Sequence, residues 1–98
     1  MNKDVLLRKI EDRSAVVGVV GLGYVGLPLA VEFAKAGYRV IGFDVSERVC
    51  SEIEAGRSHI QDVPSDEVAA LVKAGKLHAT TDPSRLGDAD AISVAVPT

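Results

Sequence analysis

The chain has 98 residues, of which 47% are hydrophobic, and a formal net charge of −3 at pH 7. This length fits one small domain or a piece of a larger protein, and the composition is typical of a globular chain rather than a disordered one. The acidic balance, the lack of a lysine- or arginine-rich run and the 4% aromatic content argue against a nucleic-acid partner, and no apolar stretch is long enough to cross a membrane.

The first 13 residues combine basic and acidic side chains and lack a sustained apolar centre, which predicts neither a secretory signal nor a transit peptide. Val5, Leu6 and Ile10 predict a short amphipathic helix in this segment. The single cysteine, Cys50, excludes an internal disulfide and is compatible with a reducing compartment. We therefore expect a cytoplasmic protein.

The apolar pattern predicts four strands that alternate with helices or helical turns. The strands are predicted at residues 15–20, 39–43, 77–81 and 91–96. The first of them is apolar on both faces, as is typical of a central parallel strand. The helices are predicted at residues 24–36, from Ser46 to about residue 55, at residues 66–74 and, as a single turn, at residues 83–86.

Three residues are predicted to bound these helices. Gly37 is placed to stop the first, while Ser46 and Ser65 are placed as N-caps of the second and third. Leu29, Ala30, Phe33 and Ala34 are predicted to form the buried stripe of the first helix. With right-handed crossovers the element order predicts an α/β fold with a parallel sheet of strand order 3-2-1-4 and flanking helices. This is the first mononucleotide-binding half of a Rossmann-type, doubly wound fold.

Residues 21–26 have the glycine spacing G-x-G-x-x-G and lie directly between the first predicted strand and the first predicted helix. In that context each glycine has a physical role: Gly21 permits a tight turn, Gly23 lets a pyrophosphate approach the backbone, and Gly26 lets the helix pack close to the strand. The free N–H groups and the positive dipole end of the helix would face the phosphates. The alternative is a strand–turn–helix without a ligand.

Asp44 ends the second predicted strand, eighteen positions after Gly26 and near the ~20 expected for the ribose-binding acid of this motif. Its carboxylate can accept hydrogen bonds from the adenosine ribose hydroxyls and would repel a 2′-phosphate, which favours NAD over NADP. Arg48 lies one helical turn later and could soften that repulsion. The alternative is that Asp44 only caps the helix that follows.

Pro97 and Thr98 follow the fourth predicted strand at the switch point where ligands bind in such sheets, and Thr98 could donate a hydroxyl to the cofactor. An ordinary strand-ending loop is an equal alternative. The strand at residues 91–96 is almost wholly apolar, yet it would form an edge of the sheet. We therefore expect the chain to be the N-terminal piece of a longer protein.

Several other polar residues are interpreted without a catalytic role. Cys50 is interpreted as a small apolar helix residue because no base is identifiable near it. His59 and His78 have no second ligand at metal spacing, so no metal site is predicted. Solvent-exposed positions are predicted for Asp88, Asp90, Glu47, Glu52 and Glu54.

The glycine run and its extension at residues 21–30, GLGYVGLPLA, resemble the opening motif of the UDP-glucose/GDP-mannose dehydrogenase family. The resemblance continues at residues 42–46, GFDVS, and at residues 79–82, ATTD. It ends with residues 94–98, VAVPT, which resemble the V-P-T-P motif of that family. The resemblance therefore covers nearly the whole chain.

The resemblance implies the NAD-binding part of a nucleotide-sugar 6-dehydrogenase, an enzyme that oxidises the C6 hydroxymethyl of a nucleotide sugar to a carboxylate with two NAD. In this family a cysteine carries the intermediate as a thioester, in a substrate domain that would lie beyond residue 98, and Cys50 does not match its context. The resemblance thus implies no catalytic residue in this chain. It implies a cofactor site at Gly21, Leu22, Gly23, Tyr24, Val25, Gly26, Asp44, Arg48, Pro97 and Thr98.

Residues 56–65 resemble members of the family that act on UDP-N-acetylhexosamines, such as UDP-N-acetylglucosamine 6-dehydrogenases, more than members that act on UDP-glucose. We therefore expect residues 1–98 to be a partial N-terminal NAD-binding domain that is inactive alone. The whole protein would be a homo-oligomeric enzyme of polysaccharide precursor synthesis that acts on a UDP-N-acetylhexosamine or on UDP-glucose. The alternatives are half of another NAD-dependent dehydrogenase, of the 3-hydroxyacid type, and a non-catalytic nucleotide-binding module.

Overall fold

A four-stranded parallel sheet organises the computed structural model, which describes residues 14–60 and 63–94. The strands are β1 (Val16–Val20), β2 (Arg39–Phe43), β3 (Leu77–Thr80) and β4 (Ala91–Val94). Their order in the sheet is β3-β2-β1-β4, with every neighbouring pair parallel. The predicted Rossmann-type α/β fold and its strand order 3-2-1-4 are therefore confirmed.

Three α-helices and one 3-10 helix connect the strands. They are α1 (Gly26–Lys35), α2 (Glu47–Glu54), α3 (Ser65–Lys73) and the 3-10 helix Pro83–Asp88. The first helix begins two residues later than predicted, because residues 24 and 25 belong to the turn that leads into it. The helix predicted near Val5 and the last two residues of the fourth predicted strand lie outside the described residues.

One of the two predicted serine caps is confirmed and the other is wrong. Ser46 is the N-cap of α2, and its Oγ accepts a hydrogen bond from the backbone N–H of Val49 at 3.3 Å. The N-cap of α3 is Pro64, and Ser65 is already helical. The Ser65 hydroxyl instead accepts a hydrogen bond from the N–H of Ser58 at 2.9 Å. It therefore closes the loop between α2 and α3 rather than the helix end.

The hydrophobic core lies between the sheet and the three α-helices. On α1 the buried apolar residues are Leu27, Ala30, Val31 and Ala34. The predicted stripe was therefore half right: Ala30 and Ala34 are buried, whereas Leu29 and Phe33 are only half-buried. Because a helix repeats every 3.6 residues, residues 27, 30, 31 and 34 lie on one face, and residues 29 and 33 lie beside it.

Two acidic residues predicted to face solvent accept hydrogen bonds from strands. Asp90 is half-buried; its Oδ2 accepts a hydrogen bond from the N–H of Val16 at 2.8 Å, and its own N–H donates to the Val16 carbonyl at 2.7 Å. Glu54, on α2, accepts a hydrogen bond from the N–H of Ala79 in β3 at 2.8 Å. The prediction for Asp90 was wrong, because its contact with β1 joins residues that are far apart in sequence. The exposed position predicted for Glu54 is confirmed, although its carboxylate also bonds β3.

The fourth strand is an apolar edge within the described part of the chain, as predicted. It pairs with β1 on one side, and its Ile92 and Val94 are exposed. No helix within residues 14–60 and 63–94 has the length and apolar character needed to span a membrane.

Candidate functional site

The carboxyl ends of all four strands lie along one edge of the sheet. In the strand register Val20 of β1 is level with Phe43 of β2 and Val94 of β4, and Phe43 is level with Thr80 of β3. The chain leaves β1 as the glycine loop, residues 21–25, and leaves β2 at Asp44. The topology therefore brings the two strongest sequence signals to the same edge, where ligands bind in open parallel sheets.

Gly21 makes the turn that the glycine spacing predicts. Its φ of 91° lies in the left-handed region that glycine adopts without steric cost. Its N–H donates a hydrogen bond to the carbonyl oxygen of Phe43 at 2.8 Å. The start of the loop is thus fixed to the end of β2.

Leu22 is the anchor of the loop in the protein core. Its side chain is 1% exposed and belongs to the main hydrophobic cluster, although the residue stands between two glycines. Its backbone N–H donates to Asp44 Oδ2 at 2.9 Å. Any contact that Leu22 makes with a cofactor would therefore come from its backbone, because its side chain points into the core.

Gly23 faces open space. A Cβ built at this position meets no heavy atom within 4 Å. The carbonyl oxygen of Gly23 accepts a hydrogen bond from the N–H of Leu27, which joins the loop to the first turn of α1. A ligand can therefore approach the backbone at Gly23 without meeting a side chain of that residue.

The backbone N–H groups at the N-terminus of α1 carry positive partial charge, and no acceptor within the helix neutralises it. Its N-cap is Val25, no side chain forms a capping hydrogen bond there, and its first turn contains no acidic residue. The first N–H groups of a helix have no acceptor within the helix, and the helix dipole adds about half a positive charge at this end. The arrangement suits an anionic group such as a phosphate.

Exposed apolar side chains border this edge of the sheet. Tyr24 is 82% exposed, Val45 is 85% exposed, and Val25 is exposed as well. Tyr24 and Val25 belong to the glycine loop, and Val45 follows Asp44. Large apolar side chains at such exposure are available to pack against the flat surface of a ligand or against another part of the protein.

Asp44 joins the glycine loop to the loop after β2. Its Oδ2 accepts the hydrogen bond from Leu22, and its Oδ1 accepts one from the N–H of Ser46 at 2.9 Å. The carboxylate is half-buried, and its backbone N–H donates to Thr80 in β3 at 3.2 Å. Each carboxylate oxygen has more than one acceptor position, so both remain able to accept a further hydrogen bond.

Arg48 lies on the first turn of α2 with an exposed side chain. It lines a shallow groove with residues of α2 and of the following loop: Ser46, Val49, Glu52, Ser58 and His59. In this groove Glu52 pairs with Arg57, whose Nε lies 2.6 Å from Glu52 Oε2. This hydrogen bond holds the pKa of Glu52 below its ordinary value. The structure thus places Arg48 in a groove that adjoins the loop after Asp44.

Cys50 has the environment of a packing residue. Its side chain is buried, and its Sγ donates to the carbonyl oxygen of Asp44 at 3.7 Å. Burial raises the pKa of the Cys50 thiol, which disfavours the thiolate that nucleophilic chemistry requires. In residues 14–60 and 63–94 no group of three or more His, Cys, Asp or Glu side chains is placed to hold a metal ion.

Pro97 and Thr98 lie outside the described residues. The strand that leads to them runs parallel to β1 and reaches Val94 level with Val20. Their role in a cofactor site stays a prediction.

Comparisons with known proteins match this chain to one family. A model of the "UDP-glucose/GDP-mannose dehydrogenase family, NAD binding domain" matches residues 15–98. The NDP-N-acetyl-D-galactosaminuronic acid dehydrogenase of Ralstonia nicotianae is 42% identical over 92 residues, which are 93% of this chain and 21% of that protein. The UDP-N-acetyl-D-mannosamine dehydrogenase of Yersinia pestis is 42% identical over 83 residues, which are 84% of this chain and 19% of that protein.

Solved structures give the same result at the level of the fold. The NDP-N-acetyl-D-galactosaminuronic acid dehydrogenase of Methanosarcina mazei Go1 aligns with a TM-score of 0.79 and 33% identity, over 100% of this chain and 22% of that one. A ternary complex of GDP-mannose dehydrogenase from Pseudomonas aeruginosa aligns with a TM-score of 0.79 and 32% identity, over 84% of this chain and 19% of that one. The chain therefore spans about a fifth of the length of the relatives it matches.

Proposed function

The chain belongs to the UDP-glucose/GDP-mannose dehydrogenase family, and we propose that it forms the NAD site of a nucleotide-sugar 6-dehydrogenase. The matched part of the family is its NAD-binding domain. The whole protein would use this site to accept hydride from the C6 carbon of a nucleotide sugar. Residues 1–98 would then be part of an N-terminal cofactor domain, with the substrate domain elsewhere in the protein.

The placement of Asp44 beside the glycine loop is the observation that carries the proposal. Its carboxylate is held by two backbone N–H groups, one from each of the two loops at the ligand-binding edge. The backbone at Gly23 is open, and the N-terminus of α1 has no side-chain cap. These features fit a dinucleotide, because the first offers acceptors for a ribose and the other two offer donors for a pyrophosphate.

Each residue of the predicted cofactor site would have its own role. Gly21, Gly23 and Gly26 would border the pyrophosphate, and Asp44 would accept hydrogen bonds from the adenosine ribose hydroxyls. Tyr24 and Val25 would contact the cofactor from the exposed side of the loop. Pro97 and Thr98 would line the opposite side of the cleft. NAD, when bound, supplies the hydride acceptor.

Asp44 also supports a preference for NAD over NADP. A like-charge pair at ~4 Å costs about 1 kcal/mol in water and ~4 kcal/mol at a partly dry protein surface, so a 2′-phosphate beside this carboxylate would be disfavoured. The hydrogen bonds of the carboxylate within the described residues come from backbone N–H groups rather than from Arg48. Arg48 would therefore leave most of that repulsion in place.

The substrate class follows from the resemblance of residues 56–65 and from the names of the relatives. We propose a UDP-N-acetylhexosamine, with UDP-glucose as the second candidate. The two curated relatives reported above are named a UDP-N-acetyl-D-mannosamine dehydrogenase and an NDP-N-acetyl-D-galactosaminuronic acid dehydrogenase, while one of the solved structures is a GDP-mannose dehydrogenase. Each turnover would reduce two NAD and leave a carboxylate at C6. The whole enzyme would be a cytoplasmic homo-oligomer, and its nucleophile would be a cysteine other than the buried Cys50.

An assay of the protein expressed at the full length of its open reading frame tests this function. NADH formation is followed with NAD and one sugar at a time: UDP-N-acetylglucosamine, UDP-N-acetylgalactosamine, UDP-N-acetylmannosamine or UDP-glucose. The proposal predicts two NADH for each UDP-N-acetylhexosamine consumed. Turnover of a 3-hydroxyacid but of none of the four sugars would support the rival dehydrogenase class, and NAD binding without any turnover would support the non-catalytic module.

A further inference from the structure

We propose that Gly42 is a positioning residue for the cofactor site, because its missing side chain leaves the space that Leu22 fills. The depth at which Leu22 packs then sets the position of the glycine loop over the sheet. This inference rests on the proposed NAD site and adds a residue outside the glycine motif that controls it. Gly42 lies within β2, two positions before Asp44.

The contact between Leu22 and Gly42 is too close for any other residue at position 42. A Cβ built on Gly42 would lie 2.7 Å from Cδ2 of Leu22 and 2.9 Å from its Cδ1. Carbon atoms that are not bonded pack at about 3.5–4.0 Å, so a methyl group at position 42 requires Leu22 to move. The same Cβ would lie 3.3 Å from the carbonyl oxygen of His78, so β3 must also give by a few tenths of an ångström.

The buried position of Leu22 limits how far its side chain can turn without moving the loop. Its side chain is 1% exposed and sits in the main hydrophobic cluster, where packing is dense. Its neighbours in sequence are Gly21, whose N–H is bonded to Phe43, and Gly23, which faces open space. Displacement of Leu22 away from β2 therefore moves the loop outward, toward the position that a pyrophosphate would occupy.

Two hydrogen bonds transmit the same displacement to the rest of the site. The bonds from Gly21 to the Phe43 carbonyl and from Leu22 to Asp44 Oδ2 both end on residues that follow Gly42 in the chain. Moving the loop lengthens both bonds and turns the Asp44 carboxylate away from its present direction. Gly42 thus acts on phosphate and ribose recognition together, although it touches neither ligand group.

Gly18 offers a matched control in the neighbouring strand. A Cβ at Gly18 would lie 3.1 Å from Leu86, 3.2 Å from Ala89 and 3.3 Å from Ile92, none of which belongs to the glycine loop. Gly18→Ala and Gly42→Ala therefore add the same methyl group to the middle of two paired strands. Only the methyl group at position 42 would clash with Leu22.

The test compares NAD affinity by isothermal titration in the protein expressed at the full length of its reading frame, with thermal unfolding as a check on the fold. We expect Gly42→Ala to weaken NAD binding about tenfold and Gly18→Ala to leave it within about twofold. Leu22→Val removes the two δ carbons that clash. The double variant Gly42→Ala/Leu22→Val is therefore expected to bind NAD within about threefold of Leu22→Val alone.

Each outcome decides the inference. Wild-type affinity in Gly42→Ala, or a double variant as weak as Gly42→Ala, would overturn it. If Gly42→Ala does not fold, the double variant must fold and bind NAD like Leu22→Val, and its failure to do so counts against the inference. A wild-type protein that does not bind NAD at all refutes the proposed function instead, so the two failures are distinguishable.

Discussion

The carboxylate of Asp44 accepts a hydrogen bond from the backbone N–H of Leu22 at 2.9 Å, across 22 positions of sequence. Its other oxygen accepts from Ser46, at the start of the loop that leads into α2. One side chain therefore holds together the two loops that would contact the pyrophosphate and the ribose. Asp44 therefore contributes both to stability and to cofactor recognition. The predictions below measure these two contributions separately.

Asp44→Ala is expected to lower the free energy of unfolding by about 1–3 kcal/mol, because it leaves the partly buried N–H groups of Leu22 and Ser46 without their acceptor. Asp44→Asn keeps one acceptor oxygen and should lose less. Urea denaturation of the three proteins measures the difference. Equal stability of the alanine variant and the wild type would show that the bridge contributes nothing to the fold.

The two serines near helix starts provide a paired prediction. Ser46→Ala removes the side-chain cap of α2 and is expected to cost about 1 kcal/mol of unfolding free energy. Ser65→Ala removes only an exposed hydrogen bond to Ser58 and should lower the unfolding free energy by no more than a few tenths of a kcal/mol. Denaturant midpoints compare the two, and a larger loss at Ser65 would contradict the assignment of Pro64 as the cap.

Glu54 is predicted to stabilise the sheet without affecting the cofactor. Its Oε1 accepts the N–H of Ala79, so Glu54→Ala is expected to cost about 1 kcal/mol, whereas Glu54→Gln retains an acceptor and should cost less. NAD affinity should be unchanged in both, since Glu54 is the last residue of α2 and its carboxylate is bonded to Ala79 of β3 rather than to the glycine loop or to Asp44. A glutamine variant as unstable as the alanine variant would argue that packing, not the hydrogen bond, matters.

Cys50 is expected to resist thiol reagents in the folded protein, because burial both shields it and raises the pKa of its thiol. The folded state thus binds the thiol proton more tightly than the unfolded state does. The corresponding stability is fully present below the unfolded thiol pKa and is lost as pH rises through the higher folded value. Reagent titration before and after denaturation measures the protection, and rapid native labelling would contradict it.

The sequence predicted the elements and residues whose signals are local. The glycine spacing after an apolar strand located the turn at Gly21, whose φ is positive, and the position of Asp44 at the end of β2 placed it beside that turn. Ser46 was predicted as a cap because its helix follows directly. Each of these signals depends on a few neighbouring residues and on strand order, which right-handed crossovers fix.

What the sequence did not predict depends on contacts between distant residues. Ser65 looked like a cap, but its hydroxyl meets Ser58 across a loop. Asp90 was predicted to be solvent-exposed but is half-buried, and its carboxylate accepts a hydrogen bond from a strand far away in sequence. Glu54 is exposed as predicted, but its hydrogen bond with Ala79 was not predicted. The packing of Leu22 against Gly42 left one trace, a glycine in the middle of an apolar strand, which is a signal of close approach by another group.

We propose that Asp44 recognises the adenosine ribose of NAD, and paired titrations of NAD and NADP test this role most directly. In the wild-type protein we predict that NAD binds about tenfold tighter than NADP or better, because the Asp44 carboxylate would repel a 2′-phosphate. Asp44→Asn should weaken NAD binding and reduce the ratio of NAD affinity to NADP affinity. The control Arg48→Ala should preserve the preference for NAD. Equal affinities for the two cofactors in the wild type, or an unchanged ratio in Asp44→Asn, would contradict the account.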